Sequence, residues 1–179
     1  MASGLVTGTQ RDARGLTWAD IDHTAGLIRV HRQLTRHRQH CPLKTPAGRR
    51  EVVLAPALGK ALREQWLASP HKRPGDFVFA TADGRGLDYR DVGEGFQTAV
   101  TRAGITAPGK LTLHSLRHGY ASLLIANGLN VVFVSRQLGH ANPSITLEVY
   151  AHLFQRADHA HTASEALETS LAATRGAGA

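Results

Sequence analysis

The chain has 179 residues, with 21 Lys and Arg against 14 Asp and Glu, a formal charge of +7, and 42% hydrophobic residues. That length suits one domain with at most an appendage, and that apolar content supports a buried core rather than a disordered chain. The lone Cys41 excludes an internal disulfide framework and every multi-cysteine zinc site, and apolar runs such as 131–134 fall far short of the roughly 20 residues that cross a bilayer.

Residues 27–34 alternate apolar and polar at period two and predict a strand. Pro42 to Lys44 and Arg50 to Leu54 read as two more short strands. The turn residues Thr45-Pro46-Ala47-Gly48 join them as a hairpin with Lys44 at its edge. Helical spacing follows, with Leu58, Leu62 and Trp66 recurring between Pro56 and Pro70. Phe77-Val78-Phe79 suits a brief strand or a buried connector. Asp88 to Ala103 predicts a helix ended by Gly104. Ser115 to Asn127 predicts another, with Leu116, Tyr120, Leu123 and Leu124 on one face and Gly128 as its stop. Asn130 caps a helix running to Leu138, Gly139 ends it, and Asn142-Pro143 opens one through Tyr150. Residues 155–174 read as a weak helix anchored by Leu167 and Leu171, ahead of a loose tail. The fold class is α+β: mainly α with a small antiparallel β-sheet, and without internal repeats.

The charge is uneven. No acid lies between Asp22 and Glu51, yet Arg29, Arg32, Arg36, Arg38, Lys44, Arg49 and Arg50 do, as many cations as the whole net charge. His31, His37 and His40 fall in the same window. A concentrated basic face suits a polyphosphate backbone, where each neutralised phosphate releases counterions. It equally suits a solvated hairpin that aids solubility. No basic-then-apolar leader opens the chain, so a cytoplasmic location is expected, with no membrane partner.

Four short motifs carry chemistry together. His114-Ser115-Leu116-Arg117 places an imidazole and a guanidinium three residues apart at a helix start. Leu138-Gly139-His140 puts an imidazole just past a glycine stop. Thr146-Leu147-Glu148-Val149-Tyr150 sets a tyrosine one helical turn beyond a threonine, and Pro42-Leu43-Lys44-Thr45 holds a lysine ahead of Arg49-Arg50. Each alone is weak, but in this order and spacing the set resembles the tyrosine recombinases, also called phage integrases, from about Thr7 to Leu153.

The resemblance implies that family's catalytic-domain fold over residues 1–154. Over 155–179 it implies a C-terminal helix and tail, either exchanged between protomers or packed on their own core. The implied function is recombination or integration of mobile-element DNA, with double-stranded DNA and other recombinase protomers as partners. Such an enzyme is nucleoid-associated when bound. Tyr150 would attack a phosphodiester, giving a 3′-phosphotyrosyl intermediate and a free 5′-hydroxyl. Arg117 would hold the non-bridging oxygens, Lys44 would be the general acid, His114 would be an acid/base helper of the nucleophile, and His140 would donate to the phosphate. The linkage conserves its energy, so no cofactor or metal is implied. Arg29, Arg32, Arg36, Arg38, Arg49 and Arg50 would bind the DNA backbone.

The chain departs from the family in two places. A second arginine normally precedes a Leu-x-Trp-x-Asp stretch; aligning Asp12 and Trp18 leaves Thr9 there. Arg11 is the nearest guanidinium, roughly 200° away around a regular helix. The family's N-terminal helical clamp is also expected to be missing. An alternative is therefore a catalytically silent DNA-binding remnant of an integrase. A metal site at His114 and His118, or at His31, His37, His40 and Cys41, lacks a third ligand at defined spacing. His118 is read as a structural neighbour of Arg117.

Overall fold

A computed structural model describes residues 10–156 and 167–168. The described chain opens with the short helix α1 (Gln10–Arg14), followed by a 3₁₀ turn at Trp18–Asp20 and the strand β1 (Ile21–Asp22). Strands β2 (Leu27–Val30) and β5 (Arg50–Val53) complete an antiparallel sheet of order β1-β2-β5, in which Ile28 faces Val52 and Arg29 faces Glu51. Strands β3 (Arg32–Leu34) and β4 (His40–Pro42) form a separate antiparallel pair.

Two expectations are thereby corrected. The 27–34 stretch breaks at His31, and its halves join different sheets. Burial parity explains the break: Ile28 and Val30 are buried at alternate positions, but Gln33 and Leu34 are buried as neighbours, which one flat strand cannot do. Nor do residues 42–44 and 50–54 pair as a hairpin. β4 returns to β3, β5 pairs with β2, and a 3₁₀ turn at Pro46–Gly48 carries the chain between the sheets.

Ile28, Val30 and Val52 cover one face of the three-stranded sheet and pack with Leu16, Leu54, Val78 and Leu62 of α2 (Pro56–Ala68). The 77–79 segment is a buried connector: Val78 donates its N–H to the Leu16 carbonyl at 3.0 Å. Helix α3 (Tyr89–Arg102) starts at an Asp88 capping box, and the chain reverses beyond it at Gly104. A second core, Ala121, Ile125, Val134, Leu138 and Tyr150, forms where α4 (Leu113–Ala126), α5 (Val131–Leu138) and α6 (Pro143–Arg156) meet. Asn130 caps α5 by accepting the Phe133 N–H at 2.9 Å, as its position in the sequence predicts.

The buried face of α4 differs from expectation. Tyr120 and Leu124 pack partly against the second core, but Leu123 is 65% exposed and the fully buried positions are Ala121 and Ile125. The leucine-rich stripe is thus displaced from the true contact line, where a small side chain lets the neighbouring helices approach. Most of the 155–174 helix, including Leu171, lies outside the described residues, so the expected exchange in trans has no described geometry.

Truncating Ile125 to Ala should lower the unfolding free energy by about 2–5 kcal/mol. Leu123→Ala should stay within about 0.5 kcal/mol of the parent. Urea unfolding of the two variants checks the assignment, and equal losses would refute it.

Candidate active site

The site begins at the first turn of α4. Thr112 and Ser115 form a reciprocal capping box, with the Ser115 N–H on Thr112 Oγ1 at 3.2 Å, which fixes where the helix starts. From there His114, His118, Ala121 and Ile125 follow one another at steps of four, three and four residues. The stripe that is core at its C-terminal end is therefore a pair of imidazoles at its N-terminal end. Their rings meet edge-on, with centroids 4.6 Å apart.

Tyr150 reaches this turn from α6. Its side chain is 4% exposed, and its hydroxyl lies 2.7 Å from His118 Nδ1. Burial pushes the phenol above its ordinary pKa, and the charge of Arg117 opposes that. Burial pushes His118 down, helped by His114 and Arg117. In the Nε2–H tautomer of the neutral imidazole, the protonated phenol donates and Nδ1 accepts.

Two guanidiniums converge on the C-terminal end of α5. Arg117 donates to the Leu138 carbonyl at 2.6 Å, and Arg50 donates from Nε to the Gln137 carbonyl at 3.1 Å. Unpaired carbonyls and the negative end of the helix dipole favour cations there. Arg50 also donates to the Gly48 carbonyl and pairs with Asp12 at 3.3 Å, its side chain only 5% exposed. The Gln137 amide accepts the Val53 N–H and donates to the Glu51 carbonyl, so it occupies the outer edge of β5 as a further strand would. Gly139 has φ 70°, and a Cβ there would lie 3.1 Å from Arg50 Nη1. The glycine thus serves both the helix stop and the arginine's seat.

Arg11, Lys44, His114, Arg117 and His140 all line one cleft of about 1350 Å³, together with Arg90 and Lys110. His140 Nδ1 shares a 2.8 Å hydrogen bond with the buried Thr146 hydroxyl, which leaves Nε2 available to the cleft. Burial, then Arg117 and Arg50, holds His140 below its usual pKa. Tyr150 does not line the cleft. Arg11 lines it from α1.

The basic window is less free than its sequence suggests. Acids from outside it meet four of its arginines: Asp22 pairs with Arg29, Asp20 with Arg32, Asp88 with Arg38 and Asp12 with Arg50. Among the described residues Arg36 and Arg49 form no ion pair. Arg29 and Arg49 line a neighbouring hollow of about 980 Å³ with Arg136, and His140 borders both spaces. No group of three or more His, Cys, Asp or Glu among the described residues is placed to hold a metal, and no described helix is long and apolar enough to cross a membrane.

The profile of the phage integrase family matches residues 7–156. The chain belongs to the phage integrase family. This integrase-family chain is 29% identical over 170 residues to prophage integrase IntR of Escherichia coli K12, covering 83% of itself and 40% of that relative. It is 28% identical over 170 residues to a XerC-like tyrosine recombinase of Caldanaerobacter subterraneus, covering 82% of itself and 43% of the relative. It therefore spans about two fifths of the length of these relatives. The Tn1549 transposon integrase, solved with circular intermediate DNA, superposes with a TM-score of 0.72 at 25% identity, over 89% of this chain and 55% of that one.

Several site residues were not legible from motifs. Asp12, Gln137 and Thr146 act by burial, and their partners lie 38, 86 and 6 residues away. Arg90 and Lys110 enter the cleft from outside the basic window. His118 carried a readable signal, its place on the stripe with Ala121 and Ile125.

Asp12→Ala leaves Arg50 buried without its carboxylate and should cost about 3–5 kcal/mol in urea unfolding. Stability should also depend on pH through His40, His118 and His140, all held below their ordinary value, chiefly by desolvation. Below about pH 6.5 the unfolded chain binds more protons than the folded one. Stability is then complete above that value and falls as pH drops. Thermal melts should show a lower Tm near pH 5.5 than near 7.5, and a flat or inverted profile would refute the buried neutral state.

Proposed function

We propose that this chain carries out site-specific DNA strand cleavage and rejoining through a 3′-phosphotyrosyl intermediate. The observation that carries the reading is the convergence of Arg11, Lys44, His114, Arg117 and His140 on one cleft, with the Tyr150 hydroxyl directed at the α4 turn that supplies two of them. In this reading the phosphate sits on Arg117, whose planar fork grips the non-bridging oxygens as charge builds on phosphorus. Arg11 supplies the second guanidinium, and His140 Nε2 and His114 donate from the cleft wall. Lys44, exposed beside them, protonates the departing 5′ oxygen, which a guanidinium cannot do.

Tyr150 is the nucleophile. Its phenol is poorly reactive while protonated, and the neighbouring Arg117 charge favours the phenolate. Residues 1–154 act as the catalytic unit, in an assembly of protomers on duplex DNA in the cytoplasm. The silent-remnant reading rested on Thr9 standing where the family has arginine. The place of Arg11 in the cleft favours the enzyme instead.

A pool of nicked duplexes with randomised bases around the nick tests this directly. The wild-type chain should form a denaturant-resistant adduct that Tyr150→Phe abolishes. Arg11→Ala should reduce adduct formation by roughly 10²–10³-fold, as for a lost oxyanion donor. Lys44→Ala should slow it by about 10²-fold or more on ordinary DNA, and far less when sulfur replaces the 5′ leaving oxygen. Retained DNA binding without adduct would leave the silent module as the correct reading.

A further inference from the structure

We propose that His118, rather than His114, is the general base that takes the proton from the Tyr150 hydroxyl; this rests on the strand-cleavage reading above. Among the described residues, His118 Nδ1 is the hydroxyl's hydrogen-bond partner, at 2.7 Å, the separation expected for transfer in a single step. His114 stands one ring further out. It is exposed to the cleft and touches His118 edge-on at 4.6 Å between centroids. Its geometry suits a phosphate donor, not the phenol's acceptor.

The two helices that make the contact also make the second core. His118 continues the stripe of Ala121 and Ile125, and Tyr150 packs into the same cluster, so the pair is held by the packing of α4 against α6. The rings stand 5.6 Å apart between centroids and are inclined at 54°, with the phenol oxygen 2.7 Å from Nδ1. Burial favours the neutral imidazole, and its Nε2–H tautomer presents the Nδ1 lone pair to the phenol.

The step balances without an added reagent. The Tyr150 O–H bond breaks, the proton moves to His118 Nδ1, and the electron pair left on Oη forms the bond to phosphorus. The P–O5′ bond breaks, and Lys44 delivers a proton to the departing oxygen. Rejoining runs the same transfers backward: the 5′-hydroxyl gives its proton to Lys44, and the His118 imidazolium returns its own to the tyrosine.

The experiment uses the full chain with the nicked-duplex pool, measuring the rate of adduct formation at saturating DNA. His118→Asn sets an amide oxygen near the position of Nδ1, keeping an acceptor while removing the base; His118→Phe removes both. A base predicts that both variants lose about 10²–10³-fold in rate. The Asn variant should keep the parental Tm and DNA affinity. Its loss should persist with a 5′-sulfur leaving group, which relieves Lys44→Ala. An Asn variant as fast as wild type would show that His118 only holds the phenol, and the proposal would fall. So would a loss confined to His114→Asn. If the wild type forms no Tyr150-dependent adduct, the strand-cleavage reading fails, and this assignment with it.

Discussion

A guanidinium buried to 5% exposure is costly unless its donors are met, and Arg50 is met on three sides. Asp12 comes from α1, the Gly48 carbonyl from the turn after Lys44, and the Gln137 carbonyl from the end of α5. These are the segments that carry Arg11, Lys44 and His140 to the cleft. The two apolar cores share no buried member, so hydrophobic packing alone does not set the sheet against the helices. The polar seam does, through Arg50 and through the Gln137 amide on the edge of β5. Apolar contacts tolerate sliding; a guanidinium with three directional acceptors does not.

The same seam explains how so much positive charge gathers in one place. Arg50 lowers the affinity of Arg117 for its proton only as a secondary effect, and burial is the larger one for both guanidiniums. The carboxylate of Asp12 and the carbonyls ending α5 offset the repulsion before any ligand arrives. A cluster of this kind is organised for an anion without relying on it. A phosphate entering the cleft meets oriented donors and does not have to gather them, which is the physical content of preorganisation.

How legible was this in the sequence? Helices α2, α3, α5 and the start of α6 follow from local signals: Pro56, the Asp88 cap, Asn130 with Gly139, and Asn142-Pro143. Each is set by a few neighbouring residues, and each lies where those residues place it. The sheets were harder. Alternation through His31 continues without a gap, and nothing local reveals that Gln33 and Leu34 both turn inward to meet β4. The cleft residues Lys44, His114, Arg117 and His140 were legible as motifs, because their spacing is imposed by elements that are themselves local. Their supports were not. An aspartate 38 residues before its arginine looks like any surface aspartate until the fold closes.

The basic window teaches the converse lesson. Its lack of acids along the chain invited a reading as an open cationic face, yet Asp12, Asp20, Asp22 and Asp88 converge on it from outside. Sequence distance is a poor guide to screening, because a carboxylate 38 or 50 positions away can stand within 4 Å. The arginines so paired build the fold and hold it. Cations without such partners, Arg36 and Arg49 among them, keep their charge for a ligand. The division assigns affinity for a polyanion to a smaller set than the composition suggests, and it separates that set from the residues placed to do chemistry. Arg50 belongs to neither group as the sequence described them. It is neither a surface contact nor a reacting group, but the fixed cation against which both are arranged.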